Sequence, residues 1–185
     1  MDEIELVPSN PDWPQRYAEE ATRLRTIIPA DLLIDLEHIG STAVPGLPAK
    51  PIIDIQATVT DLAAVEARLV GPLEAAGYAF RDQNPDTDRL FFVKGLPPAA
   101  PRRTHHLHIM EAGPGALRHI AFRDYLRDHP DEAARYAALK VDLARRHRTD
   151  REAYTAAKGA YIEAVLDQAA AAAHPDETGS TGSTT

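Results

Sequence analysis

The chain contains no cysteine in its 185 residues, which excludes disulfide staples, zinc ribbons and thiol nucleophiles together. Positive charge is also scarce. With 20 Lys and Arg against 28 Asp and Glu the formal charge is -8, and the dense basic stripe that a nucleic-acid backbone requires is not expected. No apolar run approaches the roughly 20 residues of a membrane span, so no membrane partner is expected. Met1 to Leu6 alternates acidic and apolar residues without a basic n-region or an apolar h-region, so no signal peptide is read and the cytoplasm is the expected compartment. No internal repeat of 20 to 50 residues is visible.

What is present is 44% hydrophobic residues, enough for a substantial core, in a length that suits one domain. That domain is expected over residues 1–173. The segment 174–185 has almost no apolar surface to offset its ordering entropy and reads as a disordered tail. Without it the charge is -6, because Asp176 and Glu177 leave with it.

Periodicity and punctuation predict a mixed sheet flanked by helices, an α/β (α+β) class. Ser9-Asn-Pro-Asp-Trp13 supplies a cap, an early proline and an acidic first turn for a helix ended by Pro29. Strands are predicted over Leu32–Ile39 and Pro51–Val59, with a helix over Asp61–Ala76 closed by Gly77. Three more short strands are predicted over Tyr78–Arg81, Leu90–Lys94 and Thr104–Met110, with a Pro-rich loop over Gly95–Pro101. From Gly115 the sequence predicts three helices, split at Pro130 and at Thr149-Asp-Arg-Glu152, a capping-box spelling.

The segment richest in chemistry is His38-Ile-Gly-Ser-Thr-Ala-Val-Pro-Gly-Leu-Pro-Ala-Lys-Pro-Ile-Ile-Asp-Ile-Gln56. Its Gly40-Ser41 turn has the small residues that let backbone N–H groups and a hydroxyl face a common anion. On the strand that follows, alternation puts Asp54 and Gln56 on one face and Ile53 and Ile55 on the other. The spacing from Gly40 to Lys50 is not that of a Walker A loop, and no Ser or Thr follows Lys50. A second stretch, Arg102-Arg-Thr-His-His-Leu-His-Ile-Met110, places His106 and His108 on one strand face, so two imidazoles and Asp54 can hold a metal if the strands are neighbours. The same residues are also compatible with a plain turn, a carboxylate bonded to loop amides and histidines bonded to backbone or phosphate. His105 is expected to face solvent. Arg123 with Asp124 reads as an exposed pair or as an anchor for a strand end. Tyr136/Lys140 and Tyr154/Lys158, each spaced i, i+4, are read as packing pairs.

The first motif, then His106-Leu-His-Ile, Phe122-Arg-Asp-Tyr-Leu-Arg, Tyr136/Lys140 and Tyr154-Thr-Ala-Ala-Lys158, in that order, resembles the GrpB-like family over about residues 2 to 170. The resemblance implies a nucleotidyltransferase-like fold of the DNA polymerase beta type. In that fold a Gly-Ser turn binds the triphosphate and acids on the next strand hold Mg²⁺. Gly40 and Ser41 match the turn and Asp54 the first acid; Gln56 stands where a second carboxylate is expected, and His106 and His108 where a third is expected. One Asp with two imidazoles favours Mn²⁺ or Zn²⁺ over Mg²⁺ by ligand type. Members of the family also occur fused to dephospho-CoA kinase, and this chain reads as the stand-alone form.

The reading that follows is a metal-dependent nucleotidyltransferase using a nucleoside triphosphate and a divalent ion, Mg²⁺ or Mn²⁺. Ser41 and Asp54 would be catalytic. Gly40, Ser41, Thr42, Lys50 and Arg103 would bind nucleotide, and Asp54, Gln56, His106 and His108 would bind metal. A non-catalytic nucleotide- or CoA-binding module and a protein-interaction domain are the alternatives.

Overall fold

The computed structural model describes residues 3–83, 88–98 and 100–173. The expected tail falls outside them. Five strands, β1 (Leu33–Ile39), β2 (Ile53–Val59), β3 (Tyr78–Phe80), β4 (Arg89–Lys94) and β5 (His105–Glu111), form one sheet in the order β1-β2-β5-β4-β3. β2 and β5 at its centre are parallel, and the remaining neighbours are antiparallel. The α/β class and the mixed sheet are those expected from the sequence. The helices are α1 (Trp13–Ile27), α2 (Leu62–Ala75), α3 (Pro114–Asp128), α4 (Pro130–Arg146), α5 (Arg151–Ala156) and α6 (Gly159–Ala173), with a 3₁₀ turn at Ser41–Ala43 after β1.

The two faces of the sheet differ because the strands alternate. Ile53, Ile55, Ala57 and Val59 of β2 join Leu107 and Ile109 of β5 and Phe92 of β4 in a closed core against Trp13, Leu24 and Ile28 of the α1 region and Val65, Leu69 and Leu73 of α2. Each such large side chain contributes roughly 1.5–3 kcal/mol on burial, so this layer is the main source of stability. The opposite face carries Asp54, Gln56, His106, His108 and Phe91. It is covered by the C-terminal helices through a smaller cluster of Val44, Leu47, Leu126, Tyr136 and Val165.

Three local expectations are corrected. Among the described residues the C-terminal region has four helices: a turn at Ala157 and Lys158 splits the last, because Gly159, a poor interior helix former, follows directly. Two caps shift. α1 begins at Trp13, and the Ser9 hydroxyl accepts from Gly46 N at 3.2 Å instead of capping. At α5 Asp150, not Thr149, receives Ala153 N at 2.9 Å, since its carboxylate is the stronger acceptor for an N-terminal amide.

Candidate functional site

The site begins where β1 ends. Gly40 sits at φ 70, a left-handed conformation that favours glycine, and a Cβ on it would lie 2.5 Å from Asp54 Oδ2. The Gly-Ser turn is therefore pressed onto the carboxylate of the neighbouring strand, and glycine is needed for both backbone shape and clearance. The turn is gripped from behind by α3. Arg123 donates to His38 O at 2.9 Å and pairs with Glu37, while Arg127 Nε donates to Ala43 O at 2.9 Å. Asp124 bridges the two guanidiniums, at 2.7 Å and 3.2 Å. Arg123 with Asp124 is thus an anchor of the strand end. Thr42 is buried, and its hydroxyl shares a 2.9 Å hydrogen bond with His38 Nε2.

Across the β2–β5 pair Asp54 stands opposite His106 and Gln56 opposite His108. Asp54 Oδ1 lies 2.9 Å from His106 Nδ1. Burial by itself raises the Asp54 pKa, but the His106 hydrogen bond and the charges of His106, His108 and Lys50 outweigh it and hold the group at about 2. An ionised carboxylate only accepts, so His106 Nδ1 carries the proton, and in the neutral ring Nε2 has the lone pair. Burial pushes His108 down to about 3, leaving it neutral at pH 7. His106 Nε2 and His108 Nδ1 are buried without a hydrogen-bond partner. One ligand atom from each of Asp54, His106 and His108 lies within 4.8 Å of the others. A carboxylate oxygen and two buried imidazole nitrogens, two of whose atoms lack partners, fit one borderline divalent ion such as Mn²⁺ or Zn²⁺.

Gln56, expected among the metal ligands, is placed otherwise. It is 0% exposed, its amide donates to Ala116 O at 2.7 Å, and its carbonyl accepts from His119 Nδ1 at 2.9 Å. Both ends of the side chain bond to α3, joining that helix to β2. His105, expected to face solvent, is half-buried on the closed side of the sheet, 3.0 Å from Thr104 Oγ1. Strand alternation sends it to the face opposite His106.

These groups open into a cavity of about 1040 Å³ that also takes in Gly40, Ser41, Thr42, Lys50 and Arg103. In a chain of net charge -8, seven cationic side chains and three carboxylates among the described residues line it. The residues read only as packing pairs prove central. Lys140, 2% exposed, donates to Ser41 Oγ at 2.9 Å and to Pro48 O at 2.5 Å, and its ammonium lies 4.9 Å from the Tyr136 ring centroid. Lys158 and Lys50 lie 4.4 and 5.5 Å from the centroid of the Tyr154 ring. Burial first, then the charges of Lys158 and Lys50, lowers Lys140 to about 7; burial and Lys50 lower Lys158 to about 8. Two Tyr/Lys pairs at i, i+4 facing a Gly-Ser turn were the available signal. What the spacing omits is that both helices return to the same strand end.

A mixed α/β domain with a Gly-Ser turn abutting a carboxylate–imidazole cluster is the class of protein that the geometry defines. Comparison with known proteins gives the family: a model described as GrpB protein matches residues 3–168, and the chain belongs to the GrpB family. It is 51% identical to a UPF0157 protein of Pseudomonas aeruginosa over 94% of this chain and 71% of that one. The crystal structure of conserved protein GrpB from Enterococcus faecalis superposes with a TM-score of 0.79 at 35% identity, covering 89% of this chain and 96% of that one. A dephospho-CoA kinase of Mycolicibacterium paratuberculosis is 36% identical over 84% of this chain and 43% of its own length. Among the described residues no helix is long and apolar enough to cross a membrane.

Proposed function

We propose that this protein is a metal-dependent nucleotidyltransferase, moving a nucleotidyl group from a nucleoside triphosphate to an acceptor hydroxyl. The observation that supports the reading is the close approach of the Gly40-Ser41 turn to Asp54, a small-residue turn and a carboxylate bordering one cationic cavity, as phosphate and metal binding would require. Ser41 and the turn orient the phosphates, with Gly40 and Thr42 shaping the turn, and Lys50 and Arg103 bring positive charge to the β- and γ-phosphates. Asp54, His106 and His108 would hold a divalent ion, which supplies charge neutralisation at the reacting phosphate. The acceptor oxygen replaces pyrophosphate on the α-phosphorus in line, and its proton passes to solvent.

The test is pyrophosphate release from ATP, GTP, CTP or UTP with Mn²⁺ or Mg²⁺. Asp54→Asn is expected to abolish it while the fold, followed by circular dichroism, is kept. Release that survives Asp54→Asn contradicts the mechanism.

One observation favours a second reading, a non-catalytic nucleotide- or CoA-binding module. With Gln56 tied to Ala116 and His119, Asp54 is the only carboxylate of the described metal cluster, whereas two-ion transfer sites rest on several. Tight nucleotide binding with no pyrophosphate under any metal condition selects this reading.

A further inference from the structure

We infer that Lys140, Lys158 and Lys50 form a subsite that binds a polyphosphate chain without metal, taking the place that a nucleotide-bound second divalent ion holds in two-ion sites. The inference rests on the nucleotidyltransferase reading and deepens it, because it names what grips the leaving pyrophosphate.

The first support is the supply of carboxylates. A hard divalent ion wants anionic oxygens, and the described cluster offers one, from Asp54. Asp82 and Glu152 also line the cavity, but both are exposed and neither belongs to that cluster. Among the described residues a second ion has no comparable set of ligands, so positive charge for the distal phosphates is left to side chains.

The second support is the placement of the ammoniums. Lys140 reaches the Ser41 hydroxyl directly, at 2.9 Å, so its charge is delivered to the turn itself. Lys158, from the turn after α5, and Lys50, from the loop before β2, converge on the same Tyr154 ring. Three elements far apart in sequence thus bring three point-charge donors to one strand end. A lysine ammonium suits phosphate as a compact charge with rotatable donors.

The third support is charge balance. Among the described residues Asp54 is the one carboxylate that favours the charged forms of Lys140 and Lys158, whereas each lysine is opposed by a neighbouring lysine. A partly buried cation cluster with one counter-charge is unfavourable by itself, and it becomes favourable when a polyanion enters. A chain of two or three phosphates supplies that charge within one ligand, in the cavity that Ser41, Tyr154 and the three lysines share. A neutral or singly charged ligand does not.

The experiment uses the whole chain and inorganic tripolyphosphate in EDTA, followed by titration calorimetry. One molecule is expected to bind per chain without metal, at least 10-fold more weakly to Lys158→Met and to Lys140→Met. Lys158 makes its described contact with a ring face and is the safer variant if the tether of Lys140 to Pro48 proves necessary for folding. Binding that appears only with Mg²⁺ or Mn²⁺, binding unaffected by Lys158→Met, or no binding at all overturns the inference. The two readings fail separately. If tripolyphosphate binds in EDTA and no nucleoside triphosphate does, the lysine subsite stands and the nucleotide reading falls. If nucleotides bind and turn over but their binding requires metal, the reverse holds.

Discussion

The sheet carries a buried ionic cluster on each face, built from the same residue types and finished differently. On the closed face Glu20 accepts from Lys94 Nζ at 2.6 Å and from Tyr78 OH at 2.9 Å, with His105 near by. One carboxylate meets one ammonium, one phenol and, at 3.5 Å, the exposed guanidinium of Arg23. On the open face Asp54 bonds to His106 with His108 beside it, and three lysines line the same cavity against the ring faces of Tyr136 and Tyr154. A carboxylate satisfied by its own partners has little left to offer a ligand, whereas a cation cluster short of counter-charge is completed by a polyanion. The contrast separates structural ion pairs from a site without appeal to residue type.

The comparison can be broken by substitution on either face. The largest expected effect is on the open face, where Asp54→Asn lowers nucleotidyl transfer by about three orders of magnitude or more, as removal of a charge-stabilising group does, and also lowers the urea midpoint, since a carboxylate held at about 2 stabilises the fold at pH 7. On the closed face Glu20→Ala leaves Lys94 without its carboxylate and is expected to cost about 3 kcal/mol of stability, read from urea unfolding, with nucleotide affinity unchanged in the molecules that remain folded. Gly40→Ala stands between the faces. Its new Cβ meets Asp54 Oδ2 at 2.5 Å at a φ of 70, so a loss of about 2 kcal/mol is expected, together with at least 10-fold weaker triphosphate binding by calorimetry.

The smallest effect is in pH dependence. Lys140 at about 7 and Lys158 at about 8 lie below the roughly 10.4 of an unfolded lysine. From about pH 7 toward 10 the unfolded chain therefore holds protons that the folded chain has shed, so these groups make the ligand-free protein more stable as pH rises. Thermal unfolding between pH 7 and 9 should show this slope shallower in Lys158→Met than in the parent; an equal slope places the charge imbalance elsewhere.

Much of this was legible in short-range pattern. The β-branched run around Asp54 and the alternation of His106 with Leu107 and of His108 with Ile109 gave the central strands and the face on which the acid and imidazoles meet, because alternation is a local property. The roles of Gln56 and His105 were missed because each depends on what packs against a strand: α3 on one side, Thr104 and the Glu20 cluster on the other. Lys50 was read from the sequence as a phosphate-binding group, whereas Lys140 and Lys158 were missed for a related reason. A Tyr/Lys pair at i, i+4 specifies a helix face, but the bond from Lys140 to Ser41 spans 99 positions, and no local pattern encodes such a separation.

The most direct measurement is the thermal shift given by each nucleoside triphosphate in EDTA and in Mn²⁺, for the parent chain and for Asp54→Asn. A ligand at 100 times its Kd adds about 2.7 kcal/mol, a shift of a few degrees for a domain near this size. The account predicts stabilisation in EDTA through the lysines and a further increment with Mn²⁺, with Asp54→Asn keeping the first and losing the second. Equal manganese increments in the two proteins would contradict it.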